Sequence, residues 1–326
     1  MKLALGIEST AHTFGIGIIS FEGKILANES SLFTTQKGGM IPSDVAEHHK
    51  KIKETILKNA LKKAKIKSED IDIISFSQGP GLAPCLLVGM NFAKQLAEKY
   101  NIPLIGVNHC IAHLTIGDLI CKTNNPVYLY VSGVNTQVIA FSGNKFRIFG
   151  ETLDVGLGNA LDKFARESGL GFPGGPKIEK LAKKGKYIEL PYVVKGMDTS
   201  FAGIITKDTR LVKQGEKIED VCFSLQETLF AMVTEVTERA MAHTNKKELL
   251  LIGGVAANKR LCKMLAIMCK ERNASFKAVP LEFAGDQGLM IAWQGVLEFK
   301  AGKKDNLNSL DILPYQRTDE VIVHWN

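Results

Sequence analysis

The chain has 326 residues, 45% hydrophobic and 23% charged, with a formal net charge of +7. That suits a globular protein of about two domains with one or two sizeable cores. No apolar run approaches the roughly 20 residues that span a bilayer, and "MKLALGIEST" is too short and too soon acidic for a signal peptide, so a cytoplasmic, non-membrane protein is expected. The six cysteines form no CxxC pair and read as reduced core thiols rather than a disulfide framework. The basic balance permits an anionic partner such as nucleic acid, although lysines spread over helix faces, as in "KKIKETILKNALKKAKIKSED", also read as a solvated surface.

In chain order, "LALGIEST", "TFGIGIIS" and "GKILANESSL" predict a three-stranded meander. "AEHH" follows a helix start at "PSDV"; its adjacent His48 and His49 point to different faces and are read as structural. "IDIISFSQGPG" is a buried strand entering a Gly-Pro turn, and "IPLIGV" another, capped by Asn108 where a helix begins. The meander then recurs as "VYLYVSGVN", "TQVIAFSG" and "KFRIFGETL", and "ELLLIGGVAANKRL" repeats the later strand, turn and helix. Two β-β-β-α-β-α halves imply an α/β protein of two similar domains around a cleft, the pattern of the duplicated actin-like ATPase and sugar-kinase superfold. The expected division is 1–124, joined by a C-terminal helix and tail at 288–326, and 125–287. Ligands belong at the carboxyl ends of such strands.

His109 and His113 lie four apart on one helical face, where two imidazoles can share a cation or form a hydrogen-bonded core pair. No Glu follows His109, so the metalloprotease motif HExxH is absent. Asp286, in the glycine-flanked turn of "FAGDQGLMIAW", is a candidate third ligand; two histidines and a carboxylate suit Fe(II) or Zn(II). Asp162 and Glu179 flank "FPGGP", where Gly174 and Gly175 let backbone approach a ligand, and could accept ribose hydroxyls. Asn258 is presented at a helix start after a glycine turn.

Together these blocks resemble the tRNA N6-adenosine threonylcarbamoyltransferases, closest to the archaeal and eukaryotic catalytic subunit of the KEOPS complex. The likeness runs in order through "STAHTFGIG", "AEHH", "SQGPG", "GVNHCIAH", "LYVSGVNTQV", "DKFAR", "FPGGPKIEKLA", "KGMDTSFAG", "GGVAAN" and "GDQG". It implies one divalent metal per subunit, Fe(II) or Zn(II), held by His109, His113, Asp286 and Tyr130. The strand end and turn Tyr130-Val131-Ser132-Gly133-Val134-Asn135 would cradle the adenylate phosphate, and Asp162, Gly175, Glu179 and Asn258 would hold ribose and adenine. The reaction implied is transfer of threonylcarbamoyl from threonylcarbamoyl-AMP to N6 of adenine-37 in tRNAs reading ANN codons, with AMP released. Implied partners are tRNA and KEOPS subunits: a small dimerising subunit, a kinase-like ATPase and an accessory subunit. No general base is assigned; Glu8 and His12 are weak catalytic candidates. The alternatives are a diverged scaffold subunit of the same complex and an ATP-binding ATPase of the superfold.

Where the family turn reads SGGN, this chain has Val134. If that position needs φ > 0, a β-branched residue is strained there and its side chain crowds the phosphate. Nucleotide binding is then expected to weaken while metal binding is kept. Ser9, Thr115, Ala202 and Gln287 also depart from the usual Gly, Glu, Ser and Asn.

Overall fold

The computed structural model describes residues 1–34 and 41–325. Strands β1 (Leu3–Glu8), β2 (Thr13–Ser20) and β3 (Ile25–Leu32) form the first meander. β2 is buried along its whole length, which explains why "TFGIGIIS" shows no apolar–polar alternation. Helix α1 (Pro42–Ala64), β4 (Ile73–Gly79), α2 (Ala83–Tyr100), β5 (Leu104–Asn108) and α3 (His109–Cys121) follow. The sheet order is β3-β2-β1-β4-β5, with the meander antiparallel and β4 and β5 parallel to β1.

The second half repeats this plan. Strands β6 (Val127–Val131), β7 (Thr136–Ser142) and β8 (Lys145–Glu151) are followed by α4 (Leu157–Glu167) and α5 (Gly174–Ala182). A short hairpin, β9 (Val194–Lys195) and β10 (Asp198–Thr199), then α6 (Ala202–Lys213) and α7 (Ile218–Thr244), precede β11 (Glu248–Ile252), α8 (Lys259–Glu271), β12 (Ser275–Ala278) and α9 (Leu281–Ala284). The order β8-β7-β6-β11-β12 matches the first sheet strand for strand, with β11 parallel to both β6 and β12.

Two compact units result: residues 1–119, 144–146 and 286–326, and residues 120–143 and 147–285. Asp286 and Gln287, at the end of the second domain in the sequence division, thus go with the first unit, and the first boundary falls after Leu119 rather than after residue 124. Ile7, Phe14, Phe76 and Phe92 centre the first core, and Phe164, Phe201, Leu229 and Phe230 the second. Among the described residues no helix is long and apolar enough to cross a membrane.

One contact fixes the first unit's site. Helix α10 (Gly288–Lys300) lies backbone-on-backbone against its sheet. A Cβ at Gly17 would stand 2.2 Å from Leu289 N, and one at Gly288 would stand 2.2 Å from Gly17 N. Only glycine permits that approach. It seats the turn before α10, and with it Asp286, at a set position relative to β1 and β2.

Candidate functional site

The first unit builds a cluster at the carboxyl ends of its parallel strands. β1 ends in Glu8 and β5 ends in Asn108, whose Oδ1 accepts from Ile111 N at 3.1 Å and so caps α3, as the sequence predicts. The first residue of α3 is His109, with His113 one turn on; their rings meet edge to face at 4.8 Å between centroids. Asp286 Oδ1 lies 3.2 Å from His113 Nε2 and 3.5 Å from His109 Nε2. Ligand atoms about 2.1 Å from a tetrahedral metal lie roughly 3.4 Å apart; the two histidine–carboxylate spacings match that, and with all three donor atoms within 4.8 Å of one another the group could close on one cation.

Behind His109 stands a support that sequence reasoning did not assign. Glu8 is wholly buried, and its Oε2 faces His109 Nδ1 at 3.0 Å. Its Oε1 accepts from Thr10 N at 2.7 Å and Thr10 Oγ1 at 2.5 Å. With Nδ1–H donated to Glu8, Nε2 is the nitrogen left for a metal, the usual outer-sphere arrangement of a ligating histidine. Both oxygens of Glu8 are thereby engaged, so this catalytic candidate is better described as an orienting group. Burial disfavours charge on His109, but Glu8 and Asp286 outweigh it and raise its pKa to about 9. Burial holds His113 below the usual histidine range. Burial would raise Asp286, but its bond to His113 and the charge of His109 hold it well below the carboxylate range. His12, half-buried in the β1–β2 turn, also bears electrostatically on Asp286.

The second unit holds a cavity of about 520 Å³. Gly133, Asp162, Gly175, Glu179 and Asn258 line it, five of the residues expected to bind substrate. Asp162 Oδ1 accepts from Gly174 N at 2.7 Å and Glu179 Oε1 from Lys259 N at 3.1 Å, which orients each carboxylate and leaves its second oxygen for a ligand hydroxyl. Burial raises the Asp162 pKa. Asn258 caps α8, its Oδ1 accepting from Arg260 N at 2.9 Å and Leu261 N at 3.1 Å, so its carboxamide oxygen is committed to the helix. Only one of the two expected glycines faces the cavity. A Cβ at Gly174 would fall 2.6 Å from Ala165 Cβ, so that glycine serves α4–α5 packing instead. Phe172 and Leu281, 80% and 70% exposed, form apolar walls of the cavity that sequence reasoning missed.

The expected strain at Val134 is not there. Val134 is not among the non-glycine residues with positive φ, its side chain is 73% exposed, and it does not line the cavity. The turn closes through Ser132 N to Asn135 O at 2.8 Å and Asn135 N to Ser132 Oγ at 3.0 Å, which leaves the Gly133 and Val134 amides as its candidate anion donors. Tyr130 and Val131 are buried at the end of β6 in the second unit. His48 and His49 go their own ways: His48 Nε2 meets Ser31 Oγ at 3.2 Å and His49 Nε2 meets Ala11 O at 2.8 Å. Burial pushes His49 down to about 4. Of the other departures, Thr115 Oγ1 donates to Gln294 at 2.9 Å, Gln287 accepts from Asn28 at 2.7 Å and Ala202 N donates to Asp154 at 3.0 Å, while among the described residues buried Ser9 Oγ and Gln287 Nε2 have no hydrogen-bond partner.

Among solved structures, HypF from T. kodakarensis aligns over 91% of this chain and 48% of its own with a TM-score of 0.65 at 16% identity, a likeness of fold alone. A tRNA N6-adenosine threonylcarbamoyltransferase of Thermococcus sibiricus is 55% identical over 99% of this chain and 100% of its own length. A probable bifunctional tRNA threonylcarbamoyladenosine biosynthesis protein of Methanocaldococcus jannaschii is 49% identical over 99% of this chain, which spans 60% of that protein. Residues 24–293 match the family model TsaD, tRNA N6-adenosine threonylcarbamoyltransferase. Its duplicated architecture is an actin-like ATPase fold, and by sequence the chain belongs to the tRNA N6-adenosine threonylcarbamoyltransferase family and is a transferase.

Proposed function

We propose that the chain transfers the threonylcarbamoyl group of threonylcarbamoyl-AMP to N6 of adenine-37 in tRNAs reading ANN codons, releasing AMP. The observation that carries this reading beyond family membership is the three-donor cluster with His109 clamped by Glu8. His109, His113 and Asp286 would hold Fe(II) or Zn(II), whose chemistry there is Lewis-acid polarisation of the donor carbonyl. Tyr130, the fourth ligand that the family resemblance implies, stands on β6 of the second unit.

In the reaction N6 attacks the carbamoyl carbonyl carbon, a C–N bond forms, the carbon–oxygen bond to phosphate breaks, and AMP leaves with the electron pair while N6 loses a proton. The free oxygens of Asp162 and Glu179 receive ribose hydroxyls, and the turn at Gly133, on the cavity wall, offers a backbone amide to the leaving phosphate. Such a reaction asks for positioning and charge stabilisation more than a strong base. The scaffold alternative leaned on strain at Val134, and the turn has none. The partners in this reading are the small dimerising subunit, the kinase-like ATPase and the accessory subunit; the longer bifunctional relative supports association with a second activity. A tRNA substrate fits a cytoplasmic site of action.

The test is to incubate the chain with the adenylate, an unmodified tRNA transcript and the partner subunits, then look for the modified nucleoside by mass spectrometry. Product is expected; its absence from a complete reaction overturns the proposal. Val134→Gly is expected to change AMP affinity less than about twofold by calorimetry, because the valine backbone is unstrained and its side chain lies outside the cavity. A tenfold gain would show that the side chain crowds the phosphate after all.

A further inference from the structure

We propose that the exposed lysine row on and just after α5 is the surface that holds the RNA substrate; this rests on the tRNA-modifying function proposed above and gives it a location. Lys177, Lys180, Lys183, Lys184 and Lys186 are all exposed, while Ile178 and Ala182 turn into the core. Positions 177 and 180 share one side of the helix, and Lys183 and Lys184 continue the row in the turn that ends it. The single acid within the run is Glu179, and its bond to the Lys259 amide brings a sixth exposed lysine to the same edge.

Among the described residues no ion pair engages any of these six lysines. The comparable row on α1 differs: Lys50 lies 3.6 Å from Glu47, Lys63 lies 2.7 Å from Glu29, and Lys53 sits over the Phe92 ring. Charge on α1 is partly answered within the protein, whereas charge on α5 awaits a partner. Lys177 also ties down the neighbouring loop, donating to the Leu170 carbonyl at 2.7 Å.

Two aromatic rings flank the row. Phe172, 80% exposed, precedes α5, and Tyr187, 58% exposed, follows the last lysine. Exposed rings cost solvation unless something stacks on them, and a nucleic acid offers phosphates for the lysines and flat bases for the rings at once. Phe172 and Glu179 also line the cavity, so the row begins at the cavity rim.

The test uses the full chain carrying Lys180→Glu, Lys183→Glu and Lys184→Glu together, with an unmodified tRNA transcript as probe. Fluorescence anisotropy is expected to show at least tenfold weaker binding and a salt dependence flatter by roughly two phosphate contacts. AMP affinity is expected to stay at the wild-type value, which shows that the fold is intact. A control with the same charge change on α1, Lys51→Glu, Lys58→Glu and Lys62→Glu, is expected to bind RNA within about threefold of wild type. Wild-type affinity in the α5 variant, or an equal loss in the α1 control, overturns the assignment. RNA binding through α5 without modified nucleoside in the complete reaction overturns the enzymatic proposal and leaves this surface standing.

Discussion

His113→Ala is expected to leave the protein unable to retain a divalent metal and to lower threonylcarbamoyl transfer at least 100-fold. Three donors within 4.8 Å of one another are few enough that each is needed. Removing His113 leaves only buried His109 and the partly buried Asp286 carboxylate, two donors where a tightly held divalent metal takes three or more from the protein. Metal content per chain after dialysis, measured by elemental analysis, is the primary readout, so the result does not hinge on an activity assay. Glu8→Gln should fall between wild type and His113→Ala. It keeps the size of Glu8 but weakens the bond at 3.0 Å that presents Nε2 to the metal, and losses of this kind cost about 10–100-fold in metal affinity. Full metal retention in His113→Ala would show that the cluster is a hydrogen-bonded core feature. Wild-type affinity in Glu8→Gln would show that α3 alone orients His109.

Much of this fold was legible because its signals are local. The repeated meander, the Asn108 cap and the shared face of His109 and His113 each follow from residues a few positions apart. The Glu8–His109 bond joins residues 101 positions apart, and no periodicity announces it. Spacing also says which residues are glycine but not what each is for. Gly174 looked like an approach to a ligand and serves helix packing, while Gly15, Gly17 and Gly288 let α10 settle on the sheet and so place Asp286. Val134 sits without strain for a related reason: a glycine in a family's turn need not mark positive φ, and the backbone here does not adopt it. Hairpin β9–β10 and α9, with two residues per strand and four residues in the helix, are too short for periodicity to register.

The second unit carries a group whose cost should be directly measurable. Asp208 on α6 is wholly buried, and among the described residues neither carboxylate oxygen has a hydrogen-bond partner. Burial pushes its pKa up to about 7, offset only slightly by Lys207 on the same helix. From α7 it faces Cys222, whose thiol burial pushes up to about 12 with a further contribution from Asp208 itself. On the α4 side, Glu167 is occupied by Thr209 Oγ1 at 3.1 Å. Because the folded pKa lies above the unfolded value near 3.8, the folded state binds a proton that the unfolded state has released between about pH 4 and 7. Stability attributable to Asp208 is therefore intact below pH 4, falls through that window, and stays low above it. A rise of about three pKa units corresponds to roughly 4 kcal/mol lost by pH 8. Asp208→Asn removes the titration but leaves a buried polar group without partners, so it should recover only part of that. Thermal unfolding of the variant should match wild type near pH 4 and exceed it by several degrees at pH 8. Parallel pH profiles for the two proteins would mean that the carboxylate is satisfied in solution, and that its charge costs the fold nothing.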